Sequence, residues 1–176
     1  MAQILNSTTA DIETIFKFYD MAIAFQKTKF NKHWQGFDLG LVETEIKEHR
    51  QYKILEGNEV ACVFAVTFND EVIWGERDAS PSIYIHRIVS HDNFKGKKYV
   101  EQIIEWAKDY GLKNGKEYVR MDTWGDNQKL IEYYTKCGFT FVGLTSEMSS
   151  ENLPAHYDSI VLSLFEIKIN KKEMAL

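Results

Sequence analysis

Asn127 and Tyr134 lie seven residues apart in DTWGDNQKLIEYYTKCGF. Seven residues are about two turns of an α-helix, so both side chains fall on one face. A phenol is a neutral proton donor at pH 7. Upstream, His86 sits inside SIYIHRIVS, and an imidazole titrating near neutrality can take a proton from an ammonium, directly or through water. Asp122, near the end of a later strand, is a rival base. A third group is the run KGKKYV, Lys95 to Val100, just before an apolar-periodic stretch. Lysine opposes the positive end of a helix dipole, so three lysines in four residues at a helix start point to an anionic partner. Each group also has a plain structural reading. Asn127 caps a helix, Tyr134 packs with its hydroxyl satisfied, His86 is a hydrogen-bonded histidine in a sheet, Asp122 orients TWGDN, and the lysines are a solvated helix start.

The elements that position these residues follow from periodicity and turn chemistry. QILNS reads as a strand, and TTADIETIFKFYDMAIAFQKT as a helix with Ile12, Ile15, Phe16, Tyr19 and Ile23 on one side. Thr8 or Thr9 is placed to cap it, with Asp11 and Glu13 near its positive end. DLGLVETEIKEHR gives a second helix. QYKILEGN and EVACVFAVTFN are strands joined through the turn signal Gly57-Asn58. SIYIHRIVS is the next strand. A helix is expected from Gly96 to Leu112, with Val100, Ile103, Ile104 and Ala107 as its apolar stripe. EYVRMDTW is a strand, NQKLIEYYTKC a helix ended by Gly138, and FTFVGLTS and DSIVLSLFEIK are the last strands. The order β-α-α-β-β-β-α-β-α-β-β is mixed α/β, with hairpins early and late and a βαβ crossover between.

In this order and in three motifs the chain resembles the GNAT superfamily of acyl-CoA-dependent N-acetyltransferases. IYIHRIVSHDNFKGKKYVEQIIEWA is similar to the family's strand, pyrophosphate loop and helix. Lys95 stands where arginine is usual and Gly96 matches the first glycine of the loop, while Lys98 and Val100 replace the later two. Asn127, Tyr134, Gly138 and Phe139 match a second family pattern, with Leu130 at its small-residue position. The resemblance implies a twisted mixed sheet flanked by helices on both faces, in one domain spanning residues 1–176, with the two central strands splayed around the cofactor arm. It implies acetyl-CoA as co-substrate. Lys95, Gly96, Lys97, Lys98, Tyr99 and Val100 would hold its pyrophosphate, Ile88, Val89 and Ser90 would pair through their backbone with its pantetheine arm, and Asn127 would touch the same arm. Tyr134 would protonate the leaving thiolate. His86 aligns with a position that faces the acceptor amine. His33 and Trp34, Trp74, and Asn152–Ser159 are weaker candidates for the acceptor pocket, and each taken singly is better read as core or surface.

Composition narrows the partners. The 176 residues are 44% hydrophobic and 14% aromatic, a globular balance. Formal net charge is -5, which disfavours general nucleic-acid or acidic-membrane binding. A start without a basic, long apolar or cleavable segment, and only two cysteines, Cys62 and Cys137, point to a reduced cytoplasmic chain. No apolar run approaches the roughly 20 residues of a membrane span. The five histidines show no ligand spacing, so no metal is expected. The expected activity is acetyl transfer to a primary amine of a small molecule or peptide, with exposed sheet edges suited to a homodimer. Two other readings stay open: another acyl-CoA or amine, and a domain that has lost catalysis and serves as a binding module, because KGKKYV lacks two glycines.

Overall fold

The computed structural model describes residues 2–125, 127–146 and 160–170. The strands are β1 (Gln3–Asn6), β2 (Gln51–Glu56), β3 (Glu59–Thr67), β4 (Ser82–Ser90), β5 (Tyr118–Trp124), β6 (Thr140–Leu144) and β7 (Leu162–Lys168). The helices are α1 (Ile12–Lys29), α2 (Leu39–Lys47), α3 (Glu71–Trp74), α4 (Tyr99–Lys113) and α5 (Gln128–Lys136). The strands form a seven-stranded mixed sheet in the order β1-β2-β3-β4-β5-β7-β6, flanked by the helices. The expected mixed α/β order is therefore observed. The addition is α3, a single turn between β3 and β4 that is too short to leave a periodic signal.

The chain divides into two compact units, and β4 is shared between them. The first holds residues 2–66 and 87–99 among those described. Its strands β1, β2 and β3 form an antiparallel meander, with Ile4 opposite Ile54 and Tyr52 opposite Phe64. Apolar residues of α1 and α2 (Ile15, Phe18, Tyr19, Val42, Ile46) pack with Val63 and Val89 into one core. Removing such side chains from water supplies the main stabilising term, about 25 cal/mol per Å². Thr8 and Asp11 cap the start of this region reciprocally, and Asp11 also pairs with Lys53 at 2.7 Å.

Arg87 stands out in this unit. It lies within β4 at φ +51, a conformation that costs a side-chain-bearing residue about 1–3 kcal/mol. Its guanidinium is held by the buried Glu45 carboxylate, donates to the Tyr19 hydroxyl at 3.1 Å, and lies over the Phe37 ring. These contacts hold the strained backbone in place.

The second unit holds residues 67–86, 100–125, 127–146 and 160–170 among those described. Here β4 and β5 run parallel, and β5, β7 and β6 are antiparallel neighbours. Ile103, Ile104 and Ala107 of α4 are fully buried, as the apolar stripe requires. Ile73, Trp74, Tyr84, Ile160, Leu162 and Leu164 form a core cluster. Trp74 is thus core, in line with its plain structural reading.

The parallel ladder pairs Ser82 with Tyr118, Ile83 with Val119 and Tyr84 with Arg120, and stops there. Both strands continue past this point. Within the second unit the residues beyond the last pair are Ile85 and His86 on one strand and Met121 and Asp122 on the other.

Candidate functional site

Side chains alternate along a strand, so Tyr84 and His86 share one face of β4, and Arg120 and Asp122 share one face of β5. The register that sets Tyr84 opposite Arg120 carries His86 and Asp122 to equivalent places two residues further on. Asp70, at the start of α3, joins them. One donor atom from each of Asp70, His86 and Asp122 lies within 4.8 Å of the others. His86 Nε2 is 3.5 Å from Asp70 Oδ2, an ion-pair distance too long for a good hydrogen bond.

The electrostatics of this cluster are one-sided. Asp70 Oδ2 and Asp122 Oδ1 are shut off from solvent and accept no hydrogen bond among the described residues. Burial, and then the Asp78 charge, push the Asp70 carboxyl up to about 7, against a hydrogen bond from Ile73 that favours the ionised form. Burial, and then Asp70, push Asp122 up to about 7 as well. Arg120, the cation on the same face, is committed elsewhere. It donates to Glu166 at 3.1 Å, to the Arg77 carbonyl at 2.6 Å and to the Tyr84 hydroxyl at 3.2 Å. Two carboxylates this close do not both ionise cheaply, so around neutral pH the cluster holds a proton that it can exchange.

Tyr134 projects from α5 among the rings of Tyr133, Phe139 and Phe165. Burial, followed by the neighbouring Tyr133, Cys137 and Asp122, raises its hydroxyl well above the ordinary value of 10. It is a protonated donor throughout the neutral range. The α5 start is capped by Asn127, whose Oδ1 accepts from the Lys129 and Leu130 amides at 3.1 and 3.3 Å. Its structural reading therefore holds, and only its amide nitrogen remains to serve a ligand. Gly138, at φ +103, ends the helix as the turn chemistry requires.

The candidate phosphate loop differs from expectation. The helix starts at Tyr99, not Gly96, so Lys95–Lys98 precede it. The expected helical start needs no glycine, but the observed backbone is left-handed at Gly96 (φ +81) and at Lys98 (φ +56). Lys98 thus occupies a conformation that glycine adopts freely and lysine does not. The loop is exposed, Lys95 pairs with Asp92 at 2.9 Å, and no atom lies within 4 Å of the place a Gly96 Cβ would take. A ligand can therefore approach the Gly96 backbone closely. The buried Tyr99 closes the loop by donating to Glu56 at 3.1 Å.

The first unit thus contains Ile88, Val89, Ser90, Lys95, Gly96, Lys97, Lys98 and Tyr99, and the second His86, Val100, Asp122, Asn127 and Tyr134. Val89 is buried in the first unit's core, while Ile88 and Ser90 are half-buried. Trp34 packs at the edge of the same core, beside Tyr19 and Phe37. His33 contacts the Trp34 carbonyl at 2.8 Å. Residues 152–159 fall outside the described residues. Both cysteines are free thiols.

Asp70 escaped the sequence reading, because nothing in the spacing of FNDEVIWGERD singles it out. The pairing of His86 with Asp122 was reachable, since it follows from the parallel register of two recognisable strands. The same three side chains are the one group among the described residues with metal-ligand spacing. A proton and a divalent cation both suit their two oxygens and one nitrogen.

Comparison with known proteins agrees with this architecture. The sequence model of the Acetyltransferase (GNAT) family matches residues 18–139. The chain is 23% identical over 141 residues to the uncharacterized N-acetyltransferase YesJ of Bacillus subtilis (strain 168), covering 76% of this chain and 78% of that one. Its fold is similar to a GNAT-family acetyltransferase from Listeria monocytogenes 4b F2365, with TM-score 0.75, 19% identity and coverage of 95% and 94%. It is also similar to yncA from Salmonella typhimurium, solved with its cofactor acetyl-CoA, with TM-score 0.68, 12% identity and coverage of 97% and 95%. A match running from α1 to the end of α5 takes in the strand, the loop and the helix that the motifs had singled out, and the chain belongs to the GNAT family of acetyltransferases.

Proposed function

We propose that the protein transfers an acetyl group from acetyl-CoA to a primary amine by direct attack. The observation that carries this reading is the half-buried cluster of His86 with two carboxyl groups, each with a buried oxygen that accepts no hydrogen bond among the described residues, held in the same unit as a tyrosine that keeps its proton. His86, with Asp122, takes the proton from the acceptor's ammonium. The amine nitrogen then bonds to the acetyl carbon, an amide of Ile88, Val89 or Ser90 stabilises the oxyanion, and the carbon–sulfur bond breaks. Tyr134 gives its hydroxyl proton to the departing thiolate, and the proton that the new amide nitrogen loses returns through water to the Tyr134 oxygen. Lys95, Lys97, Lys98 and the amides from Gly96 to Val100 hold the pyrophosphate, and the Asn127 amide nitrogen donates to the pantetheine arm.

Lys98 in a left-handed conformation also supports a working loop. The backbone keeps a shape suited to glycine although the side chain disfavours it. The test is thiol release from acetyl-CoA in the presence of primary alkylamines, amino acids and peptides with free N-termini. At least one class of primary amine is expected to release thiol in step with acetylated product. Release that ignores every amine would point to simple hydrolysis and contradict the proposal.

A further inference from the structure

We infer that Asp70 is a positioning residue for the base: it fixes the His86 ring and stabilises the imidazolium formed when His86 takes the acceptor's proton. This inference rests on the proposed role of His86. The geometry assigns the part to Asp70 through three independent features.

First, Asp70 is itself fixed. Its backbone N–H donates to Asp78 Oδ1 at 2.8 Å, and its carbonyl accepts from the Ile73 and Trp74 amides at 3.2 and 2.9 Å. Asp78 in turn accepts from the Tyr84 hydroxyl, which ties this turn to β4 two residues before His86. Second, Asp70 aims its buried Oδ2 at His86 Nε2, and no other group among the described residues donates to that oxygen. A buried carboxylate without a donor costs free energy, which a protonated imidazole beside it would recover. Third, Arg120, the cation on the same face of β5, is already bound to Glu166 and Tyr84. The charge that arrives on His86 during turnover is thus the charge Asp70 is placed to meet.

The groups facing Asp70 among the described residues are His86 from β4, Asp122 from β5 and Asp78 from the following turn. The Asp122 charge in turn opposes ionisation of Tyr134. When His86 holds the cluster's proton, Asp70 is the ionised partner beside it, so replacing Asp70 by Asn removes the negative partner of the imidazolium and His86 gives up its proton at lower pH.

The test is the pH dependence of kcat/KM for wild-type, Asp70→Asn, His86→Gln and the double variant, all treated with EDTA. Asp70→Asn is expected to lower the plateau of kcat/KM about 10- to 100-fold. It should also move the acid limb to lower pH, with the KM for acetyl-CoA little changed. The double variant should be no worse than His86→Gln alone, because Asp70 acts through His86. A purely structural role would lower the rate by one factor at every pH, and that result would overturn the inference while leaving His86 as the base. A fully active His86→Gln enzyme would remove the base itself and the inference with it. Unfolding of each variant, with and without acetyl-CoA, separates misfolding from these outcomes. If Asp70→Asn does not fold, Asp70→Ser with formate added is the second arm, and recovery of rate by formate is expected. No recovery in a folded Asp70→Ser protein would count against the inference. Loss of wild-type activity in EDTA, restored by Mn2+, would show that the cluster holds a metal and would overturn the proton role.

Discussion

Tyr134 keeps its proton because burial and its neighbours all oppose the phenolate. That suits a group whose task is to hand a proton to a thiolate. Tyr134→Phe is expected to lower kcat about 10- to 100-fold, the range typical of one proton-transfer partner. The KM for acetyl-CoA should stay within about twofold, because the ring remains among Phe139 and Phe165. Steady-state kinetics with saturating amine would check both. At this scale the sequence was partly legible. Asn127 and Tyr134 were singled out because they match the family pattern at a spacing of about two helical turns. His86 and Asp122 were proposed separately, as rivals, because a sequence does not state which strands are neighbours. Asp70 was missed because a one-turn helix carries no period, and its role depends on contacts with residues distant in sequence.

At the scale of elements, two strained residues mark where the candidate site shapes the backbone. Lys98 sits at φ +56 just before α4. Lys98→Gly should relieve about 1–2 kcal/mol of left-handed strain, less about 0.5–1 kcal/mol for the freer unfolded chain. The expected net gain of about 0.5–1 kcal/mol is readable by urea unfolding. The same variant should weaken the salt dependence of acetyl-CoA binding, since one lysine is lost near the phosphates. The second residue is Arg87, held at φ +51 by Glu45 and Tyr19. Glu45→Ala leaves a buried guanidinium without its carboxylate, so a loss of about 3–5 kcal/mol is expected by the same unfolding measurement. Most element boundaries were legible to within a residue or two, because apolar period and turn residues agree there. The α4 start was not: KGKK has the composition of a solvated helix end, and nothing in it signals the left-handed backbone at Lys98.

At the scale of the whole molecule, the paired carboxylates couple the candidate site to stability. Both titrate near 7 in the folded chain against an ordinary value of 3.8. Their raised values mean the neutral forms favour folding. That stability is fully present below about pH 4 and is lost as pH rises through 7. Asp122→Asn removes the penalty without changing side-chain shape. It should therefore melt like wild-type near pH 4 and be about 1–3 kcal/mol more stable at pH 8.5. A stability difference of equal size at both pH values would argue against the shared burial of the two charges. No described helix is long and apolar enough to cross a membrane. The most direct test of the account is thermal unfolding with and without acetyl-CoA. A ligand at about 100 times its dissociation constant adds roughly 2.7 kcal/mol, or about 5–10 °C for a chain of this length. The account predicts such a rise with acetyl-CoA, and a melting temperature unmoved at millimolar acetyl-CoA would contradict it.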